Sequence, residues 1–200
     1  MTLLTMLGKS KLKELEDAVE TDLSPEDASR KFFEATQRKH ELRISDKERE
    51  LAHRYGATLT DAADIKKFYE AMRWNLPHDG NLALCRLGDT TNAVVEGFFR
   101  AGKVNSAANA IGACRMLTKH PLWADPLEKE ILTAAFPLLK GEDLIAFAAV
   151  LSMQSLMQLS VMLGYQPSAK FDAAVEAWRK EQAAYAAAEE EERRRRNYAM

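Results

Sequence analysis

Cysteine occurs only twice in these 200 residues, at Cys85 and Cys114. Two thiols so far apart exclude a disulfide framework and a cysteine metal centre, which leaves a reducing interior compartment and two small buried residues as the expectation. Charge of one sign is equally scarce. The chain has 28 Lys and Arg against 30 Asp and Glu, a formal net charge of −2, which excludes a surface that is uniformly an electrostatic footprint for nucleic acid. No apolar run approaches the roughly 18 residues of a membrane span; the nearest, residues 144–163, is interrupted by Ser152, Gln154, Ser155, Gln158 and Ser160. Strand signals are missing too, since no Asn-Gly or Asp-Gly pair joins two alternating runs. The fold class this leaves is all-α.

Helix punctuation is what the chain has in quantity. Leu3, Leu4, Leu7, Leu12 and Leu15 predict an amphipathic N-terminal helix. Lys9, Lys11 and Lys13, with no acid before Glu14, leave open a second reading of the same stretch as the remnant of an organelle-targeting helix. Ser24, Pro25, Glu26 and Asp27 form a cap, a first-turn proline and two acids at the positive helix end, and predict a helix to about Arg43. Ser45 with Glu48 is a capping box for a helix to Tyr55, with Gly56 expected as a left-handed stop. Thr60, Asp61 and Asp64 open the next helix, which carries Ile65, Phe68, Tyr69 and Met72 on one face and closes at Pro77.

Farther on, the predicted helices pair. A short helix over Asn81–Leu87 precedes one capped by Asp89 that runs to Ala101, and after a Gly102-Lys103 turn Asn105 caps a partner that reaches Thr118. Asp125, Pro126 and Glu128 start a helix to about Leu139. Lys140-Gly141 turns the chain, and residues 142–163 are expected to form one long apolar helix, central to the array and stopped by Gly164. Pro167 lies in the link to a further helix through Phe171, Ala173, Val175 and Trp178, which ends in the run Glu189–Arg196, each Glu four residues before an Arg.

Residues that might carry chemistry each have a structural explanation in the sequence. Gly8-Lys9-Ser10 lacks the upstream glycine and strand of a phosphate loop. His40, His53, His78 and His120 have no His or Cys at helical ligand spacing, and are expected to be surface or half-buried. Asp61/Asp64 and Glu142/Asp143 sit at predicted helix starts, where the dipole accounts for them. Ser152, Ser155 and Ser160 are expected to bond back to helix carbonyls. Phe98, Phe99, Phe136, Phe147 and Phe171 are expected in the core, with Trp74 and Trp123 as lids over it. No catalytic, cofactor-binding or metal-binding residues are assigned.

The first helices of successive hairpins start near Thr91 and Pro126, an offset of 35 residues. With this period, the stretch Gly97-Phe98-Phe99-Arg100-Ala101-Gly102-Lys103-Val104-Asn105-Ser106-Ala107 and the link Gly164 to Phe171 make the chain resemble the pentatricopeptide repeat family over roughly Leu82 to Trp178. The resemblance implies a short α-solenoid of antiparallel hairpins, with N-terminal helices over 1–80, hairpins over 81–180 and a charged, projecting helix over 181–200. It implies a non-catalytic structural subunit of a mitochondrial multiprotein complex in the matrix. The partner it brings first is the α subunit of the ATP synthase catalytic head. A place in the mitochondrial ribosome is the alternative, as is a single-stranded RNA-binding module with a Lys/Arg stripe along the first helices of its hairpins.

Overall fold

The computed structural model describes residues 3–19, 23–36, 43–74, 81–117 and 124–164, and beyond these residues 173, 176, 177, 180, 183, 184 and 187. All secondary structure among them is helical: α1 (Leu3–Val19), α2 (Pro25–Thr36), α3 (Asp46–Thr58), α4 (Ala62–Trp74), α5 (Asn81–Arg100), α6 (Ala107–Met116), α7 (Ala124–Ala135) with a 3-10 turn at Phe136–Leu138, α8 (Glu142–Ala148) and α9 (Met153–Met162). The chain divides into two compact units, Met1–Leu138 and Leu139–Met200.

Local punctuation sets several starts as expected. Ser24 Oγ accepts the Asp27 N–H at 3.1 Å and Pro25 is the first residue of α2. Ser45 and Glu48 make the reciprocal capping box of α3. Asp61 Oδ1 accepts the Ala63 N–H at 2.8 Å where α4 begins. Gly102, Gly141 and Gly164 all have positive φ, at the turns that needed them.

Inside the first unit, α1 packs on α3, α3 on α5 and α5 on α7, while α2 packs on α4 and α4 on α6. The two series are joined by contacts of α1 with α2, α4 with α5, and α6 with α5 and α7. Phe32, Tyr55 and Phe68, one from each of α2, α3 and α4, are fully buried with ring centroids 5.3–6.0 Å apart. Tilted and edge-on pairs of this kind add about 0.5–1.5 kcal/mol each beyond their area burial.

The structure corrects several boundaries. Gly56 does not end α3, which continues to Thr58; it lies where α3 crosses α5, and a Cβ there would collide with the Val94 carbonyl. Gly97 answers it from α5, where a Cβ would collide with the backbone of His53. The two glycines let the helix backbones touch. Asp89 is not a cap either. Residues 81–100 form one helix, and every residue from Arg86 to Val95 is buried. The helix runs through this polar middle, where Thr90 and Thr91 donate back to the Arg86 and Leu87 carbonyls and Asp89 reaches across to Ile44 and to Arg49 of α3.

Ser106, not Asn105, caps α6, its Oγ accepting the Asn109 N–H at 3.2 Å. The expected helix over 142–163 is two helices. A turn at 149–151 separates them, and Ser152 takes extended backbone and caps α9 by accepting the Ser155 N–H at 3.3 Å. The ends expected near Arg43, Pro77 and Thr118 involve positions 37–42, 75–80 and 118–123, outside the described residues.

Candidate interaction surfaces

Charge is distributed along the series α1, α3, α5, α7 as pairs that cross from one helix to the next. Lys47 of α3 meets Glu16 of α1 at 2.7 Å, Arg49 meets Asp89 of α5 at 3.0 Å, His53 Nε2 lies 2.8 Å from Glu96 of α5, and Arg100 meets Glu130 of α7 at 2.7 Å. Every neighbouring pair in that series is therefore bridged by a cation and a carboxylate. Hydrogen bonding to Lys47 lowers the Glu16 carboxyl below its ordinary value, and hydrogen bonding to His53 does the same to Glu96, helped by the charges of Arg100 and Arg49.

The inner part of this ladder is a clasp on the turn that precedes α3. Asp89 Oδ2 accepts the Ile44 N–H at 3.1 Å while Oδ1 accepts from Arg49. Arg86 donates to the Arg43 carbonyl at 3.1 Å and to Glu48 Oε1 at 3.4 Å. Glu48 is fully buried, and its other oxygen accepts the Ser45 N–H. A second clasp joins the starts of α4 and α6. Asn109 Oδ1 accepts the Ala62 N–H at 3.2 Å, and its Nδ2 donates to the carbonyls of Thr60 and Lys103 at 3.2 and 3.0 Å. Gly112 one turn on leaves room for the Ala62 methyl.

Two exposed apolar features stand apart from these networks. Trp74, expected to cover the core, is 88% exposed at the end of α4, beside exposed Arg73. In the second unit, Met153, Met157 and Val161 are 46%, 65% and 49% exposed at four-residue spacing along α9, whose opposite face buries Ser155, Leu156 and Leu159. Among the described residues, α9 thus carries exposed apolar side chains on the face opposite its buried one.

The remaining candidate residues fall into ordinary roles. Gly8-Lys9-Ser10 lies within helix α1, so its backbone is not a phosphate-cradling loop. Asp64 pairs with Lys67 at 2.8 Å, and Glu142 and Asp143 are exposed in the first turn of α8. Phe98 and Phe147 are fully buried, Phe136 is half-buried, and half-buried Phe99 lies under the Arg100 guanidinium, 5.5 Å from its centroid. Cys114 is buried, and burial together with the Glu128 charge holds its thiol well above the ordinary value; Cys85 is half-buried. Ser155 is buried, with its Oγ accepting from Ser152 Oγ at 3.3 Å, and Ser160 is half-buried. His40, His78, His120, Trp123 and Phe171 lie outside the described residues.

Among the described residues no group of three or more His, Cys, Asp or Glu is placed to hold a metal ion, and no helix is long and apolar enough to cross a membrane. Compared with protein-family models, with characterised proteins and with solved structures, the chain matches none.

Proposed function

We propose that the chain is a non-catalytic structural subunit, a short pentatricopeptide-like α-solenoid that docks on a larger protein assembly in the mitochondrial matrix. The observation that carries this reading is the order of packing in the first unit. Each helix rests chiefly on the next helix or the next but one, in the series α1, α3, α5, α7 and α2, α4, α6. Contact limited to near neighbours is the packing rule of stacked helical repeats, whose extended faces serve as protein-binding surfaces. Trp74 with Arg73 on the second series supplies a side-chain pair of the kind that anchors protein interfaces.

The assembly we place first is the ATP synthase catalytic head, with the chain on the outside of the α subunit. That choice rests on the chain's resemblance to the small pentatricopeptide-like accessory subunit of the euglenozoan mitochondrial ATP synthase, and the mitochondrial ribosome stands second. RNA reading is the weaker alternative for a specific reason. A strand-tracking groove needs cations free for phosphate, whereas Lys47, Arg49 and Arg100 are engaged by carboxylates of the adjacent helices.

Affinity purification of the tagged chain from its own mitochondria, followed by identification of what is bound, tests the proposal. The expected result is ATP synthase α subunit in equal amount, with Trp74→Glu reducing its recovery several-fold. Recovery of ribosomal proteins instead would move the chain to the second assembly. Salt-sensitive binding of single-stranded RNA with no stoichiometric protein partner would overturn the structural reading.

A further inference from the structure

Three of the chain's eight methionines, Met153, Met157 and Met162, fall within the ten residues of α9. Met153 and Met157 lie one helical turn apart on its outer face, 46% and 65% exposed. Met72 of α4 is 2% exposed, and Met116 and Met162 are half-buried. Oxidation of a thioether follows its access to the oxidant in solvent, so these exposures set an order of reaction. We propose that Met153 and Met157 are a reversible oxidation site, at which a hydroperoxide switches the outer face of α9 from apolar to polar while the fold stays intact.

The chemistry is a two-electron oxygen transfer. A sulfur lone pair attacks one peroxide oxygen, and the O–O bond breaks as the S–O bond forms. The proton of the transferred hydroxyl passes to the displaced oxygen, which leaves as water or an alcohol. Sulfur is oxidised by two electrons to the sulfoxide and the peroxide is reduced by the same two. The product is polar and chiral where the thioether was apolar. Position decides what that change does. Both side chains face water, whereas α9 is held by Ser155, Leu156 and Leu159 on its buried face and its start is capped by Ser152. None of these four carries sulfur, so oxidation at Met153 and Met157 removes none of their contacts. None of the ten residues of α9 is charged, and the outer face has Val161, 49% exposed, as its third large apolar side chain. Two sulfoxides therefore decide the polarity of that face. A sulfoxide at Met72 would instead bury a polar group in the core.

This inference goes beyond the docking reading, which concerns Trp74 in the other unit; either can fail while the other stands. The test treats the full-length chain with dilute hydrogen peroxide. Peptide mass spectrometry reads oxidation at each methionine, and retention on a hydrophobic-interaction column reads surface polarity. Met157 is expected to react first and Met153 next, both several-fold faster than Met116 and Met162, with Met72 slowest. Retention should fall as the first two react, with the thermal unfolding midpoint unchanged, and should return after treatment with the two methionine sulfoxide reductases and a thiol reductant. Met153→Leu/Met157→Leu, a swap that keeps volume and apolarity, should hold its retention under the same peroxide. Met72 or Met116 reacting as fast as Met157 would overturn the site. So would a thermal midpoint that falls in step with oxidation at Met153 and Met157, retention unchanged in the oxidised wild type, or an equal fall in the double variant.

Discussion

At the crossing of α3 and α5, stability depends on what two residues lack. Gly56 and Gly97 each face the backbone of the other helix with no room for a methyl group, so Gly56→Ala and Gly97→Ala have to push the helices apart. The expected loss is about 2–3 kcal/mol for either substitution in urea unfolding, in the range of overpacked core sites. Gly102 is the control. Its φ of 71° is costly for alanine, but nothing lies within 4 Å of the added methyl, and the expected loss is about 1 kcal/mol. An equal effect at all three sites would mean that the close crossing is unimportant.

Beside that crossing, Glu96 gives stability a pH dependence with a defined sign. Its folded carboxyl is held below the ordinary 4.5 by the hydrogen bond to His53. The stabilisation is therefore present above about that pH and is lost as pH falls through the folded value. Comparing the wild type with Glu96→Gln by urea unfolding from pH 7 down to pH 3 should show a stability gap that closes with acid. A gap constant over that range would contradict the pairing.

Helix starts governed by neighbouring residues could be read from the sequence, as the caps at Ser24 and at Ser45 with Glu48 show. Asp89 could not. A cap and a mid-helix partner for a distant turn use the same residue type, and the choice depends on Ile44 and Arg49, which the fold brings from 45 and 40 residues away. Gly56 was misleading for a related reason, because glycine serves both as a stop and as a packing notch, and only Gly97 and Val94 across the crossing decide between them. The break between α8 and α9 follows the same pattern. Ser152 can bond back within a helix or cap a new one. Here it caps α9, and Ser152→Ala is expected to cost about 1 kcal/mol, seen in thermal unfolding, while Ser160→Ala, at a half-buried mid-helix site, should cost much less.

In the unit Met1–Leu138, two series of packed helices, ion pairs from each helix to the next in one of them, and an exposed tryptophan on the other are the features on which the proposed attachment rests. The exposure of Trp74 was not legible in advance, because an aromatic at a helix end fits a core lid as well as an anchor. The all-helical class was legible, because caps and apolar periodicity are local and repeat along the chain.

The size at which the chain migrates in a gently lysed mitochondrial extract tests the proposed attachment most directly. We expect essentially all of it to travel with an assembly many times its own mass that carries ATP hydrolysis activity and contains the ATP synthase α subunit. Migration at the size of a single chain, under conditions that leave that assembly intact, would contradict the account.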